Sequence, residues 1–312
     1  MRKTLLCIAV TALAMLGVAG TSAKPAAAAA GPCGTTTTAP ASYQHVIWIW
    51  FENKSTSDII GSSSAPYFNS LASECGLATN YHNVSHPSAP NYLAATSGVA
   101  KGSLPVFSFL DCNESVVCNM AGSQSIFGQG ESVKSYEESM PSNCDKSDSG
   151  EYAQRHNPEI YYTSLSTCAT DDVPYPELAT DLADNTLPAF SFITPNLIDD
   201  MHDGTVAQGD TWLSTNLPAI LNSSAYTSGS TAVFITFDEG SGGTVGETCD
   251  TNTTDASCSV PTFVISPSTP AGARSSTLFN HYSLLGTSEA LLGLSPLGEA
   301  ATSATMTAAF NL

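Results

Sequence analysis

Nine polar side chains stand where apolar runs break off or where helices are expected to begin: Glu52, Asn53, Ser88, Asp200, His202, Asp203, Asp238, Glu239 and His281. Carboxylates and an amide oxygen suit a hard divalent cation, and imidazoles accept zinc-like ions as well. A cation beside Ser88 would lower the pKa of its hydroxyl, steady the attacking oxygen and neutralise phosphate charge. Histidines nearby would protonate a leaving alkoxide or complete a second metal position. The chemistry these types allow together is metal-assisted attack of a serine on phosphorus.

Ser88 lies in His86-Pro87-Ser88-Ala89-Pro90-Asn91-Tyr92, a loop that turns into a helix ending at Gly98. Ser88 is expected as the N-cap and Pro90 in the first turn, where a missing N–H costs nothing. The free N–H groups and the dipole favour an anion there, with the Asn91 amide one turn on. His86 either orients this loop or touches the phosphate. A capped helix is common, and Glu52-Asn53, Asp200-Met201-His202 or Asp238-Glu239 taken singly read equally as solvated turns. Their joint occurrence at successive strand ends carries the functional reading. His45 and His82 read as structural.

Those positions need elements to hold them. Apolar, β-rich runs at 45–51, 188–194, 231–237 and 261–266 read as strands, and the spacing at 65–75, 88–98, 210–221 and 283–292 reads as helices. Asn196, just past the second strand, joins the candidate substrate contacts. Strands alternating with helices, three of them ending in acids, amides or histidine, predict an α/β fold: a mostly parallel central sheet with helices on both faces. The Gly/Ser-rich stretch 100–187 reads as a disulfide-pinned excursion over the site within a single domain, 31–312.

Residues 1–30 have a basic start, an apolar core too short for a comfortable span and an Ala-rich end, which predicts a cleaved signal peptide and a secreted product without a stable membrane anchor. Beyond Cys7, eight cysteines remain. An even number in an exported chain reads as disulfides, and the separations suggest 112–118, 249–258, 144–168 and 33–75. A net charge of −19, with only nine Lys and Arg among 312 residues, argues against nucleic acid as a partner. It also means that a phosphate substrate would need a local cation.

The motifs Phe51-Glu52-Asn53-Lys54-Ser55, His86 to Tyr92, His156-Asn157-Pro158, Met201-His202-Asp203-Gly204 with Ala207-Gln208-Gly209-Asp210, Asp238-Glu239 and His281-Tyr282-Ser283 resemble the bacterial phosphoesterase family. That family lies within the alkaline-phosphatase-like superfamily, and the chain is most similar to its SapM-type secreted acid phosphatases. The resemblance implies Ser88 as nucleophile with a phosphoserine intermediate, and Asn91 on a phosphate oxygen. It further implies Glu52, Asn53, Asp238, Glu239, His202 and His281 at a divalent metal site, and His156 as either leaving-group acid or substrate contact. Tyr92 stands where sulfatases of the superfamily carry a basic residue, which argues against sulfate esters. The expected activity is an acid phosphatase acting on phosphomonoesters, small or lipid-headgroup, including phosphoinositide 3-phosphates. The alternatives are a phospholipase C-type phosphodiesterase and a secreted ion- or phosphate-binding protein without turnover.

Overall fold

The computed structural model describes residues 31–104, 111–121, 124–251 and 253–312. The expected leader, 1–30, lies outside them. Ten strands follow in chain order: β1 (His45–Phe51), β2 (Gly76–Ala78), β3 (Tyr81–His82), β4 (Val133–Glu137), β5 (Asp172–Pro174), β6 (Phe190–Thr194), β7 (Thr231–Phe237), β8 (Thr262–Ile265), β9 (Arg274–Ser275) and β10 (Phe279–Asn280). Eight form one sheet in the order β5-β4-β6-β1-β7-β8-β2-β9, and β3 pairs with β10 apart from it. Within the large sheet β8 alone runs against the others. β1 is central because Val46 to Phe51 are all buried, so neither of its faces can look at water.

Five helices of eight or more residues flank the sheet among the described residues: α1 (Pro66–Glu74), α2 (Ser88–Ser97), α3 (Glu177–Asp184), α4 (Val206–Leu221) and α5 (His281–Leu292). The side chains of β1 alternate between the two faces. On one side the Trp48 indole donates to Ser288 Oγ of α5 at 2.9 Å. Trp50 packs 4.9 Å from the Tyr92 ring of α2. On the other side Phe51 meets Phe68 of α1 at 5.2 Å and Trp212 of α4 at 5.9 Å. Helices therefore cover both faces, as the alternation of elements predicted.

Three local departures have physical causes. The stretch 100–187, expected as an excursion, supplies β4 and β5 to the sheet, and β4 joins β6 with Val133 opposite Phe190. Its Val-Lys-Ser-Tyr-Glu sequence is too short and too polar to announce a strand. Helix α4 starts at Val206 rather than 210, because Thr205 and Gln208 form a reciprocal capping box. Ser88 is the first helical residue of α2 and not its N-cap, which is Pro87. Its hydroxyl is drawn to a partner elsewhere.

All four disulfides pair as the separations suggested: Cys33–Cys75, Cys112–Cys118, Cys144–Cys168 and Cys249–Cys258. The Gln-Gly-Asp block at 208–210 turns out to be architectural. A Cβ on Gly209 would lie 2.3 Å from Met201 Cε. Asp210 Oδ1 accepts the Tyr67 and Phe68 N–H groups at 2.9 and 3.0 Å, capping α1, whose own N-cap Ala65 cannot. Asp210→Ala is expected to cost about 1–2 kcal/mol in urea-unfolding free energy, the usual worth of an N-cap.

Candidate active site

The parallel register sets Phe51 opposite Phe237, so Glu52-Asn53 and Asp238-Glu239 leave β1 and β7 level with each other at the carboxyl edge of the sheet. The Asp238 N–H donates to the Phe51 carbonyl at 3.0 Å, and the Glu52 N–H to the Asp200 carbonyl at 2.8 Å. Asn53 then turns through a left-handed conformation, φ 50°, which asparagine tolerates better than most residues. Its N–H donates to Asp238 Oδ1 at 3.0 Å. Ser88, opening α2, donates from Oγ to Glu52 Oε2 at 3.0 Å. Tyr92, one turn later on the same helix face, gives a short hydrogen bond to Glu52 Oε1. Both carboxylate oxygens of Glu52 are thus held by α2.

His156 stacks on Tyr92, with ring centres 5.7 Å apart. Its Nδ1 lies 3.2 Å from Asp200 Oδ2 and its Nε2 3.6 Å from Glu52 Oε2. His202 stands beside it, Nδ1 at 2.7 Å from Asp203 Oδ1 and Nε2 at 3.3 Å from Arg155 Nη2. Asp203 itself is exposed and touches the rest of the site through His202.

Other expected site residues have work elsewhere in the fold. Asn91 Oδ1 accepts the Val84 and Ser85 N–H groups at 2.8 and 3.0 Å, so it shapes the loop before Ser88. Its amide nitrogen also reaches Glu239 Oε2 at 3.3 Å. His86 Nδ1 is 3.1 Å from that same oxygen. Gly243, at φ +93°, closes over His86, and a Cβ there would sit 2.3 Å from Nε2. His281 has both ring nitrogens engaged: Nε2 is 2.6 Å from the Asp238 carbonyl and Nδ1 3.1 Å from the Tyr81 hydroxyl. It braces the end of β7. Asn196 Oδ1 accepts the Ile198 and Asp199 N–H groups at 3.0 and 3.1 Å and so forms the turn that presents Asp200.

The electrostatics is that of crowded acids. Burial first, then the neighbouring Asp238 and Asp200 charges, hold Glu52 well above the usual carboxylate range. Burial likewise pushes Asp200 up to about 8, Asp238 to about 6, and Glu239 to about 10 with Asp238 adding to it. The same burial keeps His156 far below the ordinary imidazole value. Asn53 Oδ1, Asp238 Oδ2 and His156 Nε2 are buried without a hydrogen-bond partner. Unpartnered oxygens among buried acids are what a hard cation would satisfy. Glu52, His156 and His202 also offer ligand atoms within 4.8 Å of one another. The residues present can therefore hold a divalent ion.

Behind the site lie three more buried acids, Glu137, Glu159 and Asp172, hydrogen-bonded to Thr194, Ser135 and Asn157 respectively. Burial raises all three, Asp172 to about 7. A carboxyl raised on folding keeps a proton that the unfolded chain has released above its own pKa, about 4. The folded state then binds more protons, so this contribution is complete below about pH 4 and is lost as pH rises through about 7. Urea-unfolding free energy is expected to be higher at pH 5 than at pH 8, by on the order of a few kcal/mol, with Asp172→Asn flattening the dependence.

Tyr92, Asp111 and Arg155 were not singled out as site residues from the sequence. Tyr92 sits inside the Ser88 motif, at the helical spacing that signals a shared face. Asp111 and Arg155 carry no local signal, since their contacts join distant segments.

The fold is of the alkaline-phosphatase-like class. A protein of the alkaline phosphatase superfamily from Vibrio parahaemolyticus superposes with a TM-score of 0.57 at 12% identity, over 86% of this chain and 71% of that one. The phosphonate monoester hydrolase of Agrobacterium radiobacter gives 0.57 at 14% identity, over 86% and 77%. The chain belongs to the Phosphoesterase family, whose sequence pattern matches residues 50–295. It is 32% identical to a phosphatidylinositol-3-phosphatase of Mycobacterium tuberculosis across 93% of this chain and 90% of that protein. It is 28% identical to an acid phosphatase of Aspergillus fumigatus across 80% of this chain and 55% of that protein.

Proposed function

We propose that the chain is an exported, metal-dependent acid phosphatase in which Ser88 attacks the phosphorus of a monoester and carries the phosphoryl group as phosphoserine. One observation carries this reading: a buried serine hydroxyl at the start of a helix, 3.0 Å from a carboxylate oxygen of Glu52, where Asn53 and Asp238 converge. Glu52, Asn53 and Asp238, with Glu239 alongside, would hold the cation, which supplies Lewis-acid charge neutralisation when bound. Asp200 and Tyr92 fix His156 and Glu52. His281 braces the fold rather than donating to the ion.

The Ser88 proton passes towards Glu52 as the Oγ–P bond forms and the ester P–O bond breaks. Arg155 donates to His202 Nε2 in this structure, so His202 can hand a proton to the leaving alkoxide only once Arg155 has turned from that nitrogen to the phosphate, with Nδ1 still backed by Asp203. His202 then takes a proton from the water that attacks the phosphoserine, the Oγ–P bond breaks, Ser88 Oγ recovers its proton from Glu52, and phosphate leaves. The named activities of the relatives point to phosphomonoesters, either small or on a lipid headgroup. Four disulfides suit a chain working outside the reducing cytosol. Among the described residues no helix is long and apolar enough to cross a membrane.

The test compares turnover of a generic aryl phosphomonoester with that of a phosphocholine diester. We expect the monoester to be cleaved at least about tenfold more efficiently, equal to about 1.4 kcal/mol in the barrier. Preference for the diester would reassign the chain to phospholipase C-type chemistry, and no turnover of either would leave a binding protein.

A further inference from the structure

Asp111 makes at the mouth of the site the two contacts that an oxyanion would make. Its Oδ1 accepts the backbone N–H of Ala89, the residue directly after Ser88, at 2.9 Å. Its Oδ2 lies 3.4 Å from Arg155 Nε. The Asp111 and Arg155 side chains are 24% and 20% exposed, so the pair sits on the solvent side of the nearly sealed Ser88. The Ala89 N–H belongs to the first turn of a ten-residue helix, where unpaired N–H groups attract anions. Such an N–H facing an arginine fork is a seat for phosphate oxygens.

Asp111 is fixed there by its surroundings. Its backbone is left-handed, φ 53°, and the chain is pinned beyond it by the Cys112–Cys118 disulfide. The Tyr161 hydroxyl donates to the Cys112 carbonyl at 2.7 Å. In a chain so poor in cations, the Asp111 carboxylate also neutralises an arginine that substrate would otherwise meet directly. Lys54, next to Asn53, is spent on the Met201 carbonyl at 2.8 Å.

We propose that Asp111 is an internal competitor for the phosphate seat, its carboxylate occupying the place between the Ala89 N–H and Arg155 that a substrate phosphate takes on displacing it. Arg155 is then a substrate-binding residue, handed from Asp111 to the phosphate. The identity of the displacing group rests on the phosphomonoesterase reading.

The experiment is calorimetric binding of inorganic phosphate to the mature chain carrying Ser88→Ala, in buffer with divalent cation, combined with Asp111 and Arg155 substitutions. Asp111→Ala is expected to tighten the phosphate Kd about tenfold, with Asp111→Asn in the same direction and smaller. Arg155→Ala is expected to weaken it about tenfold and to cancel the gain in the double variant. A merely structural role for Asp111 would not produce tighter binding. Unchanged or weaker binding in Asp111→Ala overturns the proposal, and Asp111→Asn decides in the same way should the alanine variant fail to fold. Because binding is read without turnover, phosphate binding that responds as expected, together with a chain that cleaves no monoester when Ser88 is intact, would overturn the functional reading alone.

Discussion

Ser88→Ala is expected to lower kcat for an aryl phosphomonoester by at least about 10⁴-fold, the scale seen when a nucleophile is deleted from a site whose other members stay in place. The loss should fall on kcat, because phosphate is held by groups other than the Ser88 hydroxyl. Folding should survive. Ser88 Oγ makes one hydrogen bond, to Glu52, and the Tyr92 hydroxyl still holds the other carboxylate oxygen. Acid quenching of the wild-type enzyme in turnover should trap a phosphorylated peptide containing residue 88, absent from the variant. Activity in Ser88→Ala above about a tenth of wild type, where the nucleophile scale demands a far deeper loss, would move the nucleophile elsewhere.

Exhaustive chelation is expected to cut activity at least about a hundredfold, the several kcal/mol that charge neutralisation by a bound cation supplies, and a divalent salt should restore it. The acids are what such an ion would compensate. Glu52, Asp200 and Asp238 are all fully buried, and burial is the largest cause raising each. Asp238→Asn keeps the shape and the Asn53 contact while removing one charge. The metal concentration for half-maximal activity should rise at least about 100-fold, beyond the effect of losing an outer-shell partner. Full activity in a chelated sample shown by elemental analysis to be metal-free would end this reading.

What the sequence disclosed, it disclosed where a short segment meets a uniform environment. Val46 to Phe51 and, but for Thr236, Ala232 to Phe237 are apolar because these stretches are buried on both faces, and their ends mark the site. Three cysteine pairs followed from short separations, and Cys33–Cys75 was the pair left over. Hidden features depend on partners far away in the chain. β4 is half polar because Ser135 donates to the buried Glu159 behind the site and Glu137, another of those acids, accepts from Thr194. Ser88 looked like an N-cap, yet Glu52, thirty-six residues earlier, outbids its own backbone for the hydroxyl. Asn196 and His281 have the right chemical types for substrate and metal. What local pattern could not convey is that two backbone N–H groups occupy the first, and that a carbonyl and a tyrosine occupy the second.

The level exit of Glu52 and Asp238 is set by seven consecutive paired rungs between β1 and β7. A frame of that kind has no half-steps: dropping one residue from either strand would turn the acid beyond it to the opposite side of the sheet. Anyone redesigning this protein can lengthen or graft segments at the far edge of the sheet, but within those two strands the spacing of the reactive groups is counted in whole residues and cannot be tuned.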